Sequence, residues 1–183
     1  MPKSKLGEDV YKKADKVNAE LFVLTYGSIV AQLCKEMPYD QVNAELEKMG
    51  ENIGVRLIEE FLAKTECERC QDFRETAETI SKIGFKMFLN YMPVITSWSE
   101  DGKTFVLNLD ENPLAEFVEL PLEARGILWY SNIYSGIIKG ALRMVQIEVN
   151  TRFIKDILRG DDHTELSVSF VRVIDDEVPP GDE

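Results

Sequence analysis

The sequence predicts an α+β fold in one domain, with helices packed on one side of an antiparallel β-sheet. Three observations carry this expectation. The apolar spacing is helical through the first half of the chain and alternates only after Pro93. The strand-like segments come in pairs joined by short turns, which is how antiparallel neighbours connect. Finally, 183 residues, 44% of them hydrophobic, can bury one core without disulfides or a metal. The predicted order is three helices, a hairpin, a helix and a second hairpin.

Residues 1–15 carry Lys3, Lys5, Lys12 and Lys13 with few large apolar groups and no helical stripe, so they read as a mobile tail before a domain spanning 16–175. In the first helix Leu21, Leu24, Ser28, Ala31 and Cys34 recur at steps of three and four until Pro38 stops the pattern. The second opens at Asp40 and presents Val42, Leu46, Met49, Ile53, Leu57 and Phe61. The third starts at Asp72, a capping residue, with Glu75 placed to reach back as in a capping box; its buried face is Thr76, Ile80, Ile83, Met87 and Tyr91. Val94 to Trp98 and Thr104 to Leu109, joined through Glu100-Asp101-Gly102, form a hairpin, because Asp-Gly supplies the positive φ such turns need. After a turn at Asn112-Pro113, a fourth helix runs from about Ser131 with Ile133, Ile137, Leu142, Val145 and Val149 spaced for burial. Gly136 and Gly140 on it imply close contact with the sheet. Val149, Thr151 and Phe153 then alternate, Gly160-Asp161-Asp162 turns the chain, and Leu166, Val168, Phe170, Arg172 and Ile174 alternate again. Residues 176–183 form an acidic tail of disordered composition.

Composition excludes several functions. With 33 acidic and 21 basic side chains the net charge is −12, which argues against a nucleic-acid binder or a polybasic membrane-surface protein, since both need a positive field. The uncharged stretch Leu21 to Cys34 is too short for a membrane span of ~20 residues, so no transmembrane anchoring is expected. Glu8, Asp9, Asp15 and Glu20 ahead of it fit no signal peptide. Three cysteines cannot all pair, which points to a reducing compartment.

Chemistry-bearing motifs are sparse. The single histidine, His163, falls in a polar turn and reads as solvated. Gly50 to Gly54 lacks the lysine and hydroxyl of a phosphate loop. Glu59-Glu60, Asp110-Glu111 and Asp175-Asp176 are sequence neighbours, and adjacent side chains on a helix do not face one another. Cys67-Glu-Arg-Cys70 would need two more ligands to hold zinc, and only Cys34 and His163 are on offer, so no metal is expected. As a redox pair it lacks the preceding buried strand. Two readings of Cys70 stay open: an inert half-buried loop cysteine, or a reactive thiol faced by Arg69 and by the helix start at Asp72.

Several stretches together resemble a known family. Leu21-Phe-Val-Leu-Thr-Tyr-Gly27, Lys48-Met-Gly-Glu-Asn-Ile-Gly-Val-Arg-Leu-Ile-Glu59, Arg69-Cys-Gln-Asp-Phe-Arg-Glu-Thr76 and Asn112-Pro-Leu-Ala-Glu-Phe-Val-Glu-Leu-Pro121 carry the likeness. It continues through Tyr130-Ser-Asn132, Gly140-Ala-Leu-Arg-Met-Val-Gln146 and Pro179-Pro-Gly-Asp-Glu183. These are similar to the Bet-three family of subunits of the transport protein particle, TRAPP, over nearly all of the chain beyond residue 20. The resemblance implies the same α+β fold and a core subunit of a vesicle-tethering complex in ER-to-Golgi transport. Such a subunit is cytoplasmic and peripheral at cis-Golgi and ER-Golgi membranes. It is not an enzyme alone, self-acylation apart, but contributes to nucleotide exchange on a Rab GTPase within the complex. It pairs with other small TRAPP subunits, or with itself as a homodimer, through the first helices, which fits the surplus apolar Phe22 and Val23.

The resemblance also implies a palmitate in thioester linkage to Cys70, beside Arg69, as the one covalent group, with no other cofactor. The acyl chain would enter a tunnel lined by Ile80, Ile83, Gly84, Met87 and Phe88. The acidic end, with Val178, Asp182 and Glu183, would reach the nucleotide pocket of the Rab protein. The alternative is a stand-alone self-acylating or fatty-acid-binding protein, and a thiol oxidoreductase is a distant third.

Overall fold

A computed structural model describes residues 2–174 of the chain. Its sheet has four antiparallel strands, β1 (Val94–Trp98), β2 (Thr104–Asn108), β3 (Ile147–Lys155) and β4 (Glu165–Val173), in the order β1-β2-β4-β3. The two predicted hairpins are thus joined edge to edge by the β2–β4 pair, where Phe105 faces Val168 and Leu107 faces Leu166. Alternation puts Phe105, Leu107, Val149, Phe153, Leu166 and Val168 on the buried face. The glycines expected in the turns sit at φ +68° (Gly102) and +103° (Gly160), the left-handed region that favours a residue without Cβ.

The described residues also form seven α-helical segments: α1 (Lys3–Lys13), α2 (Ala19–Glu36), α3 (Tyr39–Thr65), α4 (Phe73–Thr79), α5 (Phe85–Leu89), α6 (Leu122–Arg125) and α7 (Ile133–Met144). A π-helical turn, Ile80–Gly84, joins α4 to α5, so the predicted third helix is one rod with an extra residue inserted in its middle. It ends at Leu89, where Asn90 turns left-handed at φ 55°. Tyr91, expected on the buried face of that helix, lies beyond it and donates its hydroxyl to Asn108 O at 3.0 Å.

Two expectations change. First, Gly136 and Gly140 do not face the sheet. They face α3, whose own Gly50 and Gly54 face back. A Cβ on Gly136 would stand 1.9 Å from Glu47 O, and one on Gly50 2.2 Å from Ile133 O. The two helix backbones therefore touch, and ion pairs Lys139–Glu47 and Arg143–Glu51 flank the seam. α7 meets the sheet through other residues, Ser135 bonding Thr151 at 2.5 Å among them. Four glycines on two helices make one seam, and only the pairing of the helices shows it.

Second, the mobile tail read over residues 1–15 is mostly helix. Gly7 and Val10 are buried, Val10 in a cluster with Phe61, Ile83 and Met87. The face consists of Leu6, Gly7 and Val10, too narrow to register as a stripe without its partner surface. The acidic segment from Asp175 onward, with Val178, Asp182 and Glu183, lies outside the described residues.

Candidate functional site: an apolar cavity with Cys70 in its wall

Helices that bury glycine against glycine on one side leave their bulky residues to line the other. Between α2, α3, the rod formed by α4 and α5, and α7 lies a cavity of about 1010 Å³. That is the upper end of the range for small-molecule pockets. α3 contributes Met49, Ile53, Leu57 and Phe61, and α7 contributes Ile133, Ile137, Ile138 and Ala141. Tyr26 and Ile29 line it from α2, and Gln146, Ile147 and Ile174 from the ends of the sheet. Side chains of this kind offer an occupant little but apolar contact.

The loop between α3 and α4 brings Cys67, Glu68, Arg69 and Cys70 into the wall. Asp72 caps α4 by accepting the Glu75 N–H at 2.7 Å. Glu75 reaches back as predicted, but one residue further than a capping box: its carboxylate accepts the Gln71 N–H at 2.7 Å. That bond, and then Lys3, hold the Glu75 carboxyl below its ordinary value. The Cys70 neighbourhood is thereby fixed on its downstream side. Cys70 Sγ is half-buried and lies 3.5 Å from Thr79 Oγ1.

Of the residues singled out from the sequence, Arg69, Cys70, Ile80, Gly84 and Phe88 line the cavity. Ile83 and Met87 do not. They are buried on the side of the rod that faces α1. Residues 80, 84 and 88 stay in line along the rod, and a step back from 84 or 88 leads around to the other side. At Gly84 the nearest atom to an added Cβ is Thr79 O at 3.9 Å, so the space beside it is open. The share of α2 and α7 in the walls was not predicted, because their apolar residues look identical whether they face a core or a void. Cys34 lies half-buried on α2, where burial pushes its thiol up. His163 sits with Asp162 and Glu165, at 2.7 and 2.9 Å, away from the cavity. Among the described residues no group of histidine, cysteine and carboxylate side chains could hold a metal, and no helix is long and apolar enough to cross a membrane.

A family model described as "Transport protein particle (TRAPP) component" matches residues 22–169. The chain belongs to this family. It is similar to transport protein particle subunit bet3 of Schizosaccharomyces pombe, at 69% identity over 183 residues and the full length of both chains. It is 54% identical to trafficking protein particle complex subunit BET3 of Saccharomyces cerevisiae, over 97% of this chain and 94% of that one. A crystal structure of a trafficking protein particle complex subunit 3 from Naegleria fowleri, covalently bound to palmitic acid, matches with a TM-score of 0.84 and 42% identity, over 88% of this chain and 99% of that one. The TRAPP family member described here has the α+β fold and the transport-complex kinship that its motifs imply.

Proposed function

We propose that this TRAPP component carries a long-chain acyl group, palmitate, in thioester linkage to Cys70, with the chain lodged in the apolar cavity. The observation that carries the reading is the position of that thiol in the wall of a cavity of about 1010 Å³. The palmitic acid of the similar Naegleria protein supports it. Burying ~14 methylenes at ~0.8 kcal/mol each contributes up to ~11 kcal/mol, an upper bound because the chain loses its own freedom. Lodged so, the lipid acts as part of the core rather than as a membrane anchor.

The proposed role is that of a non-catalytic subunit, peripheral at ER-Golgi and cis-Golgi membranes, that assembles with small TRAPP partners and contributes to Rab nucleotide exchange. The outward face of α2 supports a protein partner, since Leu21 is 67% and Leu24 57% exposed there. Isolation from cells with stoichiometric small subunits is expected, whereas a monomer loaded with exchangeable fatty acid would favour the stand-alone lipid binder instead.

The deciding test is the intact mass of purified protein before and after hydroxylamine, which cleaves thioesters. A loss of one fatty acyl chain is expected from the wild type and from Cys67→Ser, and none from Cys70→Ser. An unchanged mass in the wild type would remove the lipid, and a Cys67→Ser protein that carries no acyl group before hydroxylamine would point to a cooperating cysteine pair. A separate expectation concerns the end of the chain. Deleting residues 178–183 should slow exchange by the reconstituted complex while assembly stays intact; an unaltered exchange rate would dismiss the Rab-contacting role of Val178, Asp182 and Glu183.

A further inference from the structure

The lipid site leaves α1 without a role, yet three sets of contacts tie this helix to it. At its start, the Lys3 ammonium directs its donors at one spot: Glu75 O at 3.1 Å, Thr79 Oγ1 at 3.0 Å and the Glu75 carboxylate at 3.1 Å. Both residues lead to Cys70. Thr79 Oγ1 touches its sulfur, and the Glu75 carboxylate holds the N–H of Gln71, the next residue along. In the middle of α1, Gly7 lies so close to the π turn that a Cβ would stand 2.6 Å from Lys82 O. Further on, Val10 is buried against Phe61, Ile83 and Met87, with Ile58, Cys67 and Phe88 packed around them. Ile58, Phe61, Cys67 and Phe88 also line the cavity. One layer of side chains is therefore shared between the cavity and the seat of α1.

That helix has 11 residues and includes Lys3, Lys5, Lys12 and Lys13. A helix of such length is marginal in water by itself, so helix formation and docking are one event. Residues 14–18 run without helix or strand to α2, so α1 can leave its seat without moving the rest. Short, peripheral elements of this kind open at the low end of the local-unfolding scale.

We propose that α1 is a strap over the Cys70 end of the cavity: docked, it shields the sulfur and the cavity wall; released, it admits or exposes an acyl chain. The acyl part of this rests on the reading of Cys70 as the lipid-bearing residue. Lys3 is the latch and Gly7 the point of closest approach.

The test uses the full chain and two variants that undock α1 by different means, Gly7→Leu, which clashes with the Lys82 carbonyl, and Val10→Asp, which puts a charge in the apolar seat. Neither residue lines the cavity. Two rates are measured: alkylation of Cys70 by iodoacetamide in protein freed of acyl groups, followed by peptide mass, and release of the acyl group from acylated protein by hydroxylamine. Both rates should rise at least about fivefold in both variants, with Cys34 alkylated at its wild-type rate, and Lys3→Met should give a smaller rise. Wild-type rates at Cys70 in both variants would overturn the strap. A wild type that carries no acyl group, together with faster alkylation in the variants, would keep the strap and remove the lipid. An acylated wild type with both rates unmoved in the variants would do the reverse.

Discussion

Gly136→Ala is expected to cost ~3 kcal/mol or more, the largest effect of a methyl group added at any glycine among the described residues. The reason is the seam between α3 and α7. The new Cβ would fall 1.9 Å from Glu47 O and 2.8 Å from both Glu47 C and Glu51 N, all of them backbone atoms that no rotamer change can move aside. Overpacking a well-packed interior typically costs 1–3 kcal/mol and more where the backbone must shift. The gain in helix propensity from glycine to alanine, ~1 kcal/mol, is too small to offset it. For a chain of this size the midpoint of thermal unfolding should fall by ~6–12 °C. Gly126→Ala is the matched control. Gly126 is exposed at φ −80° with nothing within 4 Å of an added Cβ, so its change should be neutral or stabilising by ~0.4–1 kcal/mol. Urea unfolding of the two variants decides the matter, and a Gly136→Ala protein within ~1 kcal/mol of wild type would show that the helices are not in backbone contact.

On the proposed reading of Cys70 as the acyl carrier, Gly84→Leu is expected to abolish acylation and leave the protein folded. Its first carbon has room, with Thr79 O the nearest atom at 3.9 Å, so the rod itself accepts a side chain there. The remaining carbons of a leucine have only the cavity to enter. Intact-mass measurement should find under ~10% of the variant acylated, because a chain barred from the cavity forfeits most of the ~11 kcal/mol that burial contributes. Circular dichroism should remain native. Gly84→Ala, which adds one carbon and ~1 kcal/mol of helix propensity, should keep its acyl group. A fully acylated Gly84→Leu protein would show that the chain does not run past this residue, and the tunnel would have to be placed elsewhere.

The buried face of α3 was legible without coordinates, whereas that of α2 was not: Leu21 and Leu24 of its predicted stripe are exposed, and Val23, Tyr26 and Val30 are buried instead. α3 shows Val42, Leu46 and Phe61 buried on the stripe that its spacing predicts, and the hairpin turns fall on the Asp-Gly and Gly-Asp pairs. What stayed hidden has a common cause. Burial of Leu6, Gly7 and Val10 depends on a surface made by α3 and the rod, so a short lysine-bearing segment reads as a tail until that surface is in place. Ile83 and Met87 share the predicted stripe of Ile80, yet the rod is covered on two sides, by a void and by α1, and spacing alone does not tell the two apart. Ile53, Leu57, Ile133 and Ile137 could equally fill a core; whether they enclose a void depends on how far apart four helices are held.

The chain by itself therefore determined the order of the main helices and hairpins from α2 onward, the antiparallel class of the sheet, the capped helix start beside Cys70 and the TRAPP kinship. All of these rest on local spacing, turn chemistry and short motifs that each stretch carries independently. Tertiary structure alone decided that four glycines form one helix seam, that the bulky residues on the other faces of those helices line a cavity reaching Cys70, and that Lys3–Lys13 form a docked helix. Each of these depends on which surfaces meet, and at what distance, between segments far apart along the chain.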